Sequence, residues 1–274
     1  MIQPVFVLSP VLHYENGSMQ EKEDSIVTES PITIVLNDEE FATLVCSPEY
    51  IEELVIGFLA SEGVIQSYQD ITDLFIDGPT GFAYVRAKNV NTYNQMFHSK
   101  RYVTSCCGKS RQSFYFYNDA RTVKKRDDTA VTIPAADCFR FMQAMQQSAT
   151  LFQDTGGVHN AALCDPNGIV VSRMDIGRHN ALDKLYGYSL MHAVSVHDKV
   201  MVFSGRISSE VLLKVAKIGC SIVLSKSAPT ELALRLADEL GITTVGFIRN
   251  QSFNVYTWPE RIVQEKGGKS SDSQ

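Results

Sequence analysis

Between residues 180 and 248 the chain alternates helix-patterned and strand-patterned segments: helix 180–191, strand 200–203, helix 209–218, strand 221–224, helix 230–240 and strand 243–248. A helix between two strands carries the chain back before the next strand starts, so such strands pair in parallel and the helices cover their sheet. The second half of the chain is therefore expected to be α/β, with a mostly parallel sheet. Ahead of this series, Pro134 opens a helix with Phe141, Met142, Met145 and Ala149 on one side, and residues 158–164 and 169–172 flank Asp165-Pro166-Asn167-Gly168 as a hairpin.

The first half has a different pattern and is expected to be α+β. Residues 15–24 are polar around an Asn16-Gly17 turn signal and read as a surface loop or arm. Residues 32–36 and 41–46 flank the polar 37–40 as a hairpin with a four-residue loop. Ser47 is a natural N-cap with Pro48 behind it, and Ile51, Leu54, Val55, Phe58 and Leu59 recur at helical spacing until Gly63, so that helix should lay one apolar face on the hairpin. A second hairpin is expected at 74–76 and 82–85, and an aromatic strand at 113–117. The charged stretch 124–128 marks a junction, dividing the chain into an α+β part (1–127), an α/β part (128–260) and a disordered tail (261–274).

A chain of 274 residues, 44% hydrophobic and 20% charged, can bury a substantial core. Its formal charge of −6 argues against a general nucleic-acid surface. Six unevenly spaced cysteines do not make the dense framework of a small secreted domain and are read as reduced. No apolar run reaches the length of a membrane span, and the N-terminus lacks a basic leader region, so a cytoplasmic protein is expected.

Against the negative total, residues 98–111 carry Lys100, Arg101, Lys109 and Arg111, no carboxylate, and the adjacent pair Cys106-Cys107 followed by Gly108. Neighbouring cations pull a thiol pKa down from a free value of about 8.5, and only the thiolate attacks or carries sulfur. The opposite reading is a buried, inert pair beside a solvated loop. Three further loops combine glycine with polar groups: Thr155-Gly156-Gly157-Val158-His159, Asp175-Ile176-Gly177-Arg178-His179-Asn180, and Ser204-Gly205-Arg206-Ile207-Ser208-Ser209. Each could donate N–H groups to phosphate at the carboxyl end of a sheet, or Ser208 and Ser209 could simply cap a helix. Asp175, Arg178, His179, Asp183 and Lys184 form the densest ionisable cluster; His179 and Asp183 could pair along a helix face and Arg178 could meet a phosphate or Asp175, or the group could be an internal salt-bridge network. Gly108-Lys109-Ser110 lacks the first glycine of a phosphate loop, since Val103 stands there. His159, His179, Cys164 and Cys220 do not fall in a zinc-holding spacing, so no metal is expected to be held by the protein itself.

Taken in order, these loops resemble the FdhD family over roughly residues 26–257. The resemblance rests on Thr104-Ser105-Cys106-Cys107-Gly108, 155–161, 175–184, Ser204-Gly205-Arg206, Ser225-Lys226-Ser227-Ala228-Pro229-Thr230, Gly246-Phe247-Ile248-Arg249 and 253–257. It implies a cytidine deaminase-like α/β second half. It also implies a cytoplasmic sulfurtransferase, a sulfur carrier that accepts persulfide sulfur from a cysteine desulfurase and passes it to the molybdenum bis(molybdopterin guanine dinucleotide) cofactor needed by formate dehydrogenase. The persulfide role falls on Cys107. Many members carry C-G-x-C, whereas here Ser110 stands at the second cysteine position and Cys106 is an extra neighbour, with its role open. The cofactor-binding stretch falls on Phe247, Ile248, Arg249, Asn250, Gln251 and Ser252, joined by Gly157, His159, Arg178, His179 and Arg206. A symmetric homodimer also follows from the resemblance. Two rivals share the same residues: a cofactor-binding chaperone without covalent chemistry, and a deaminase-like hydrolase that would need zinc.

Overall fold

The computed structural model describes residues 3–90, 101–103, 125 and 131–264. Strands β1 (Phe6–Glu15) and β2 (Ser18–Val27) pair antiparallel about Asn16-Gly17, whose φ angles of 50° and 87° are the left-handed pair a two-residue hairpin needs. The expected irregular arm at 15–24 is thus mostly strand. Phe6, Leu8, Leu12 and Tyr14 alternate along β1 and remain exposed, so no core-facing pattern distinguishes this ribbon from a loop.

Strands β3 (Ser30–Leu36) and β4 (Glu39–Cys46) form the first expected hairpin, but with a two-residue turn at Asn37-Asp38, both at positive φ, in place of four residues. Strands β5 (Ile71–Asp77) and β6 (Phe82–Ala87) form the second. Strand β6 joins β3 in parallel and β7 (Arg101–Val103) joins β4 in parallel, giving a five-stranded sheet in the order β5-β6-β3-β4-β7. Helix α1 (Ile51–Ser61) starts later than expected: Tyr50, at φ 54°, occupies the cap position, because the Ser47 hydroxyl is engaged by Asp175. Nor does α1 bury only one face. All residues from Glu53 to Ser61 are buried, since the sheet covers one side and α4 (Arg178–Met191) the other. The two helices cross backbone to backbone. A Cβ on Gly57 would stand 1.8 Å from the Asp183 carbonyl oxygen, and one on Gly187 1.9 Å from that of Glu53.

The second half continues with β8 (Ile133–Pro134), α2 (Ala135–Gln147), α3 (Thr150–Thr155), β9 (His159–Asp165), β10 (Gly168–Asp175) and α4. Then come β11 (Val200–Phe203), α5 (Ser209–Ile218), β12 (Ile222–Ser225), α6 (Glu231–Leu240), β13 (Thr243–Arg249) and β14 (Ser252–Thr257). The α/β alternation is as expected, and β11, β12 and β13 pair in parallel. The whole six-stranded sheet, ordered β10-β9-β11-β12-β13-β14, is nevertheless mixed: β9 pairs antiparallel with both β10 and β11, and β14 with β13. Tight turns join β9 to β10 and β13 to β14, and a tight turn permits only antiparallel pairing. Alternation along the strands feeds two cores. Ala161, Leu163, Met201, Phe203 and Val223 face α4, α5 and α6, while Ala162, Cys164, Val202, Ile222 and Leu224 face α2.

The segment expected to be disordered from residue 261 starts in an ordered fashion. Strand β15 (Ile262–Val263) pairs in parallel with β8, and Arg261 is fully buried, its guanidinium donating to the Gly241 carbonyl at 2.6 Å. Residues 265–274 lie outside the described residues.

Candidate functional site

The sheet pairings collect the glycine and arginine loops at one rim. Asp175, at the end of β10, sits opposite His159, at the start of β9; Phe203, ending β11, sits between Ala161 of β9 and Ser225, ending β12; and Arg249, ending β13, sits opposite Ser252. The loops around 156–160, 175–180, 204–209, 225–230 and 247–252 therefore all leave the same end of the sheet, the carboxyl end of its parallel strands, where α/β sheets bind ligands.

Hydrogen bonds join the loops to one another. Ser204 N–H donates to the Asn160 carbonyl (3.0 Å), Ser225 Oγ to the Gly205 carbonyl (2.8 Å), Ser227 Oγ to the Ser204 carbonyl (3.2 Å), and Phe247 N–H to the Ser227 carbonyl (3.3 Å). Two glycines make this packing possible. A Cβ on Gly205 would press on the Phe203 ring at 2.9 Å, and one on Gly246 would meet the Ser227 carbonyl oxygen at 3.0 Å. Phe247 (φ 56°), Asn250 (φ 49°) and Gln251 (φ 61°) hold left-handed backbone without being glycine, a concentration of unfavourable conformation in one turn. The Arg249 guanidinium lies 5.3 Å from the Phe247 ring. Arg206 and Arg249 are exposed and Arg178 is partly so.

Helix N-termini at the rim differ in how they are closed. Ser208 Oγ accepts from Val211 N–H and Thr230 Oγ1 from Ala233 N–H, both at 3.4 Å, so the capping reading holds for Ser208. Helix α4 has Gly177 as its cap and no side-chain cap.

The ionisable cluster divides. Asp175 and Lys184 are fully buried and paired at 2.7 Å. Asp175 also accepts from Ser47 N–H (3.1 Å), Ser47 Oγ (3.0 Å), Gly177 N–H (2.8 Å) and Asn180 Nδ2 (2.9 Å). This is the internal-network alternative, and it ties the end of β4 to the loop that starts α4. Asp183 does not pair with His179. It accepts from Ser61 Oγ (2.6 Å) and Lys214 Nζ (2.5 Å), and burial pushes its pKa up despite those contacts. Ser47, Ser61 and Lys214 were not legible as partners, because each lies far along the chain and nothing in local spacing couples them.

His159 and His179 both remain at the rim. Burial, helped by the charge of Arg178, lowers the pKa of His159. Burial, then Lys214 and Arg178, depresses His179 to about 3, so both imidazoles are neutral at pH 7. His179 Nε2 stands 3.4 Å from a Glu210 carboxylate oxygen and makes no hydrogen bond.

Cys106, Cys107, Lys100, Lys109 and Arg111 lie outside the described residues, as does the predicted strand 113–117. Cys46, Cys138, Cys164 and Cys220 are buried, and desolvation pushes the thiols of the first three up to about 12. Among the described residues, no three His, Cys, Asp or Glu side chains are grouped to hold a metal ion, and no helix is long and apolar enough to cross a membrane.

Fold and rim together define an α/β protein that gathers glycine and arginine loops at the carboxyl edge of a mixed sheet. The family model described as the FdhD/NarQ family matches residues 27–263, and the chain belongs to that family. It is 58% identical over 254 residues to the sulfur carrier protein FdhD of Geobacillus kaustophilus, covering 93% of this chain and 96% of that protein. It is 57% identical over 262 residues to the sulfur carrier protein FdhD of Bacillus subtilis, covering 96% and 99%. The crystal structure of a formate dehydrogenase accessory protein from Desulfotalea psychrophila superposes with a TM-score of 0.78 at 27% identity, over 95% of this chain and 100% of that one.

Proposed function

We propose that this chain is a sulfurtransferase that takes persulfide sulfur from a cysteine desulfurase onto Cys107 and delivers it to the molybdenum bis(molybdopterin guanine dinucleotide) cofactor of formate dehydrogenase. In the first step the Cys107 thiolate attacks the outer sulfur of the desulfurase persulfide. One S–S bond forms as another breaks, the desulfurase cysteine leaves as thiolate, and no net oxidation occurs. In the second step the outer sulfur passes to the metal of the cofactor. The cofactor is cargo, and its metal supplies the two electrons that turn the atom into sulfide as Cys107 returns to thiolate. Lys100, Arg101, Lys109 and Arg111 favour both anions, and Arg178, Arg206, Arg249 and the rim N–H groups suit the cofactor's phosphates.

The observation that carries this reading is the gathering of the motif loops at one rim, in a chain whose relatives of 53–58% identity bear the name sulfur carrier protein. One further fact supports it. The four described cysteines are buried, and three have thiols held near 12, which leaves the pair at 106 and 107 to supply a thiolate.

The test is peptide mass spectrometry after incubation with an active desulfurase and free cysteine. A gain of one sulfur on the Cys107 peptide, reversed by reductant and absent in Cys107→Ala, is expected. No gain with a cognate desulfurase would refute the carrier step and leave the cofactor-binding chaperone.

A further inference from the structure

The ribbon of β1 and β2 lies ahead of the residues that the family model matches, and it carries an exposed apolar face. Its register puts Phe6, Leu8, Pro10, Leu12 and Tyr14 in one lane along β1, with Met19 beside Tyr14 on the same face. All six are exposed, Leu8 by 60%, Leu12 by 64% and Tyr14 by 63%. On the opposite face the polar alternates Ser9 and His13 are half-buried, the reverse of the order that hydrophobicity sets on a finished surface. A two-stranded ribbon is marginally stable in water, and a contiguous apolar row marks a site of interaction. At its base this face meets the rim. Val27, on the same side as the row, has its Cγ1 2.7 Å from where a Cβ on Gly157 would stand, and β2 packs beside α3, which leads into the 156–160 loop.

We propose that this face is the docking surface for the apoenzyme that takes the cofactor from the rim, and that the apoenzyme meets it with an apolar ridge bordered by lysine or arginine. The inference rests on reading the chain as the carrier for formate dehydrogenase, and adds where that client is held. Two lanes define the partner's chemistry. The β1 lane is apolar and aromatic, the composition of an interface core. On the β2 lane the exposed Glu21 and Glu23 stand beside Leu12 and Pro10, and none of the described residues on this face is basic. Carboxylates along the row repel a cofactor's phosphates, a nucleic acid and an anionic membrane, and attract a basic border. They also make a second copy a poor occupant. A two-fold axis that stacks this face on itself sets the β2 lane either against its own copy, carboxylate near carboxylate, or across the apolar β1 lane, where carboxylates lose water without gaining a cation. Position selects the client. The row starts at the rim loop and runs outward for roughly 30 Å at the rise of a strand, so a protein seated on it lies alongside the site from which the cofactor leaves.

The test is biolayer interferometry of the full chain against the cofactor-free catalytic subunit of formate dehydrogenase and against the cysteine desulfurase, both from the same organism, at low and high salt. Wild type is compared with the double variants Leu12→Ser, Tyr14→Ser and Glu21→Lys, Glu23→Lys, and with Phe75→Ser as an exposed apolar control elsewhere, alongside the melting temperature of each free protein. The expected result is that the apolar double variant weakens apoenzyme binding by about tenfold or more, the scale of losing central interface side chains. The charge reversal weakens it by about tenfold at low salt and by less at high salt. Phe75→Ser leaves it unchanged, desulfurase binding is unchanged throughout, and every melting temperature stays within about 4 °C of wild type, as exposed substitutions do. Unchanged apoenzyme affinity in either ribbon variant overturns the inference alone, and so does an equal loss in Phe75→Ser. A larger fall in melting temperature overturns it too, by showing that the chain itself covers the face. Loss of desulfurase binding in place of apoenzyme binding overturns the choice of partner, and a wild-type dimer that the ribbon variants dissociate in sedimentation velocity overturns it in favour of a second copy. Wild type that does not bind the apoenzyme yet gains sulfur on Cys107 overturns the inference and leaves the carrier reading; wild type that does neither removes both.

Discussion

Replacing Lys184 with Met removes one charge from a fully buried ion pair while keeping most of the side-chain volume. In the native protein the ammonium sits 2.7 Å from Asp175 Oδ2, 3.0 Å from Ser47 Oγ and 3.1 Å from the Met174 carbonyl. The substitution leaves Asp175 buried without a cation, a loss of about 3–5 kcal/mol for one-sided removal of such a pair. Four hydrogen bonds to the carboxylate survive, two from Ser47 and one each from Gly177 and Asn180, which places the expected cost near the lower end, about 3 kcal/mol. At about 2–4 °C per kcal/mol for a chain of this size, the melting temperature should fall by about 6–12 °C, read by circular dichroism at pH 7. The double variant Asp175→Asn, Lys184→Met removes both charges and should recover part of that loss, because residues in direct contact couple by about 0.5–3 kcal/mol. A fall below about 2 °C in the single variant, or strict additivity in the double, would refute the claim that this pair joins β4 to the rim.

His179 titrates far below the ordinary histidine range in the folded state, so the unfolded chain binds the extra proton first, and folding stability falls as pH drops from about 6.5 toward about 3. At pH 4.5 that loss is about 2–3 kcal/mol, and His179→Gln should flatten this part of a urea-denaturation pH profile by a similar amount; a profile unchanged from wild type would show that His179 is not the group responsible. Gly187→Ala puts a methyl 1.9 Å from the Glu53 carbonyl oxygen and should cost at least the 1–3 kcal/mol typical of overpacking, roughly, with reduced soluble yield; wild-type thermal stability would mean the two helices are not in backbone contact. Brief alkylation of the native protein should label Cys106 and Cys107 and spare Cys46, Cys138, Cys164 and Cys220 until denaturant is added, as peptide mapping would show; prompt labelling of any of those four would contradict their burial.

What the sequence made legible follows from the range of the forces involved. The β-α-β-α-β series could be read because periodicity is local, and the rim could be anticipated because parallel strands bring their carboxyl ends together whatever the loops contain. The β9–β10 flank was legible as a hairpin, but not as a member of the same sheet, and β14 at the other edge was not read as a strand. Helix α1 was misread at both its start and its faces for one long-range reason: Asp175, 128 residues away, engages Ser47, and α4 covers the side that solvent was expected to occupy. The same packing explains why five neighbouring ionisable residues have two different fates. Helix α4 is wedged between α1 and the sheet, so a charge within its body, such as Asp183 or Lys184, has no water to face and must find a partner inside the protein. Arg178 and His179 stand in its first turn, where the helix emerges at the rim. Position along a helix buried on both sides, rather than residue type, separates the groups that hold this fold together from the groups available to a ligand.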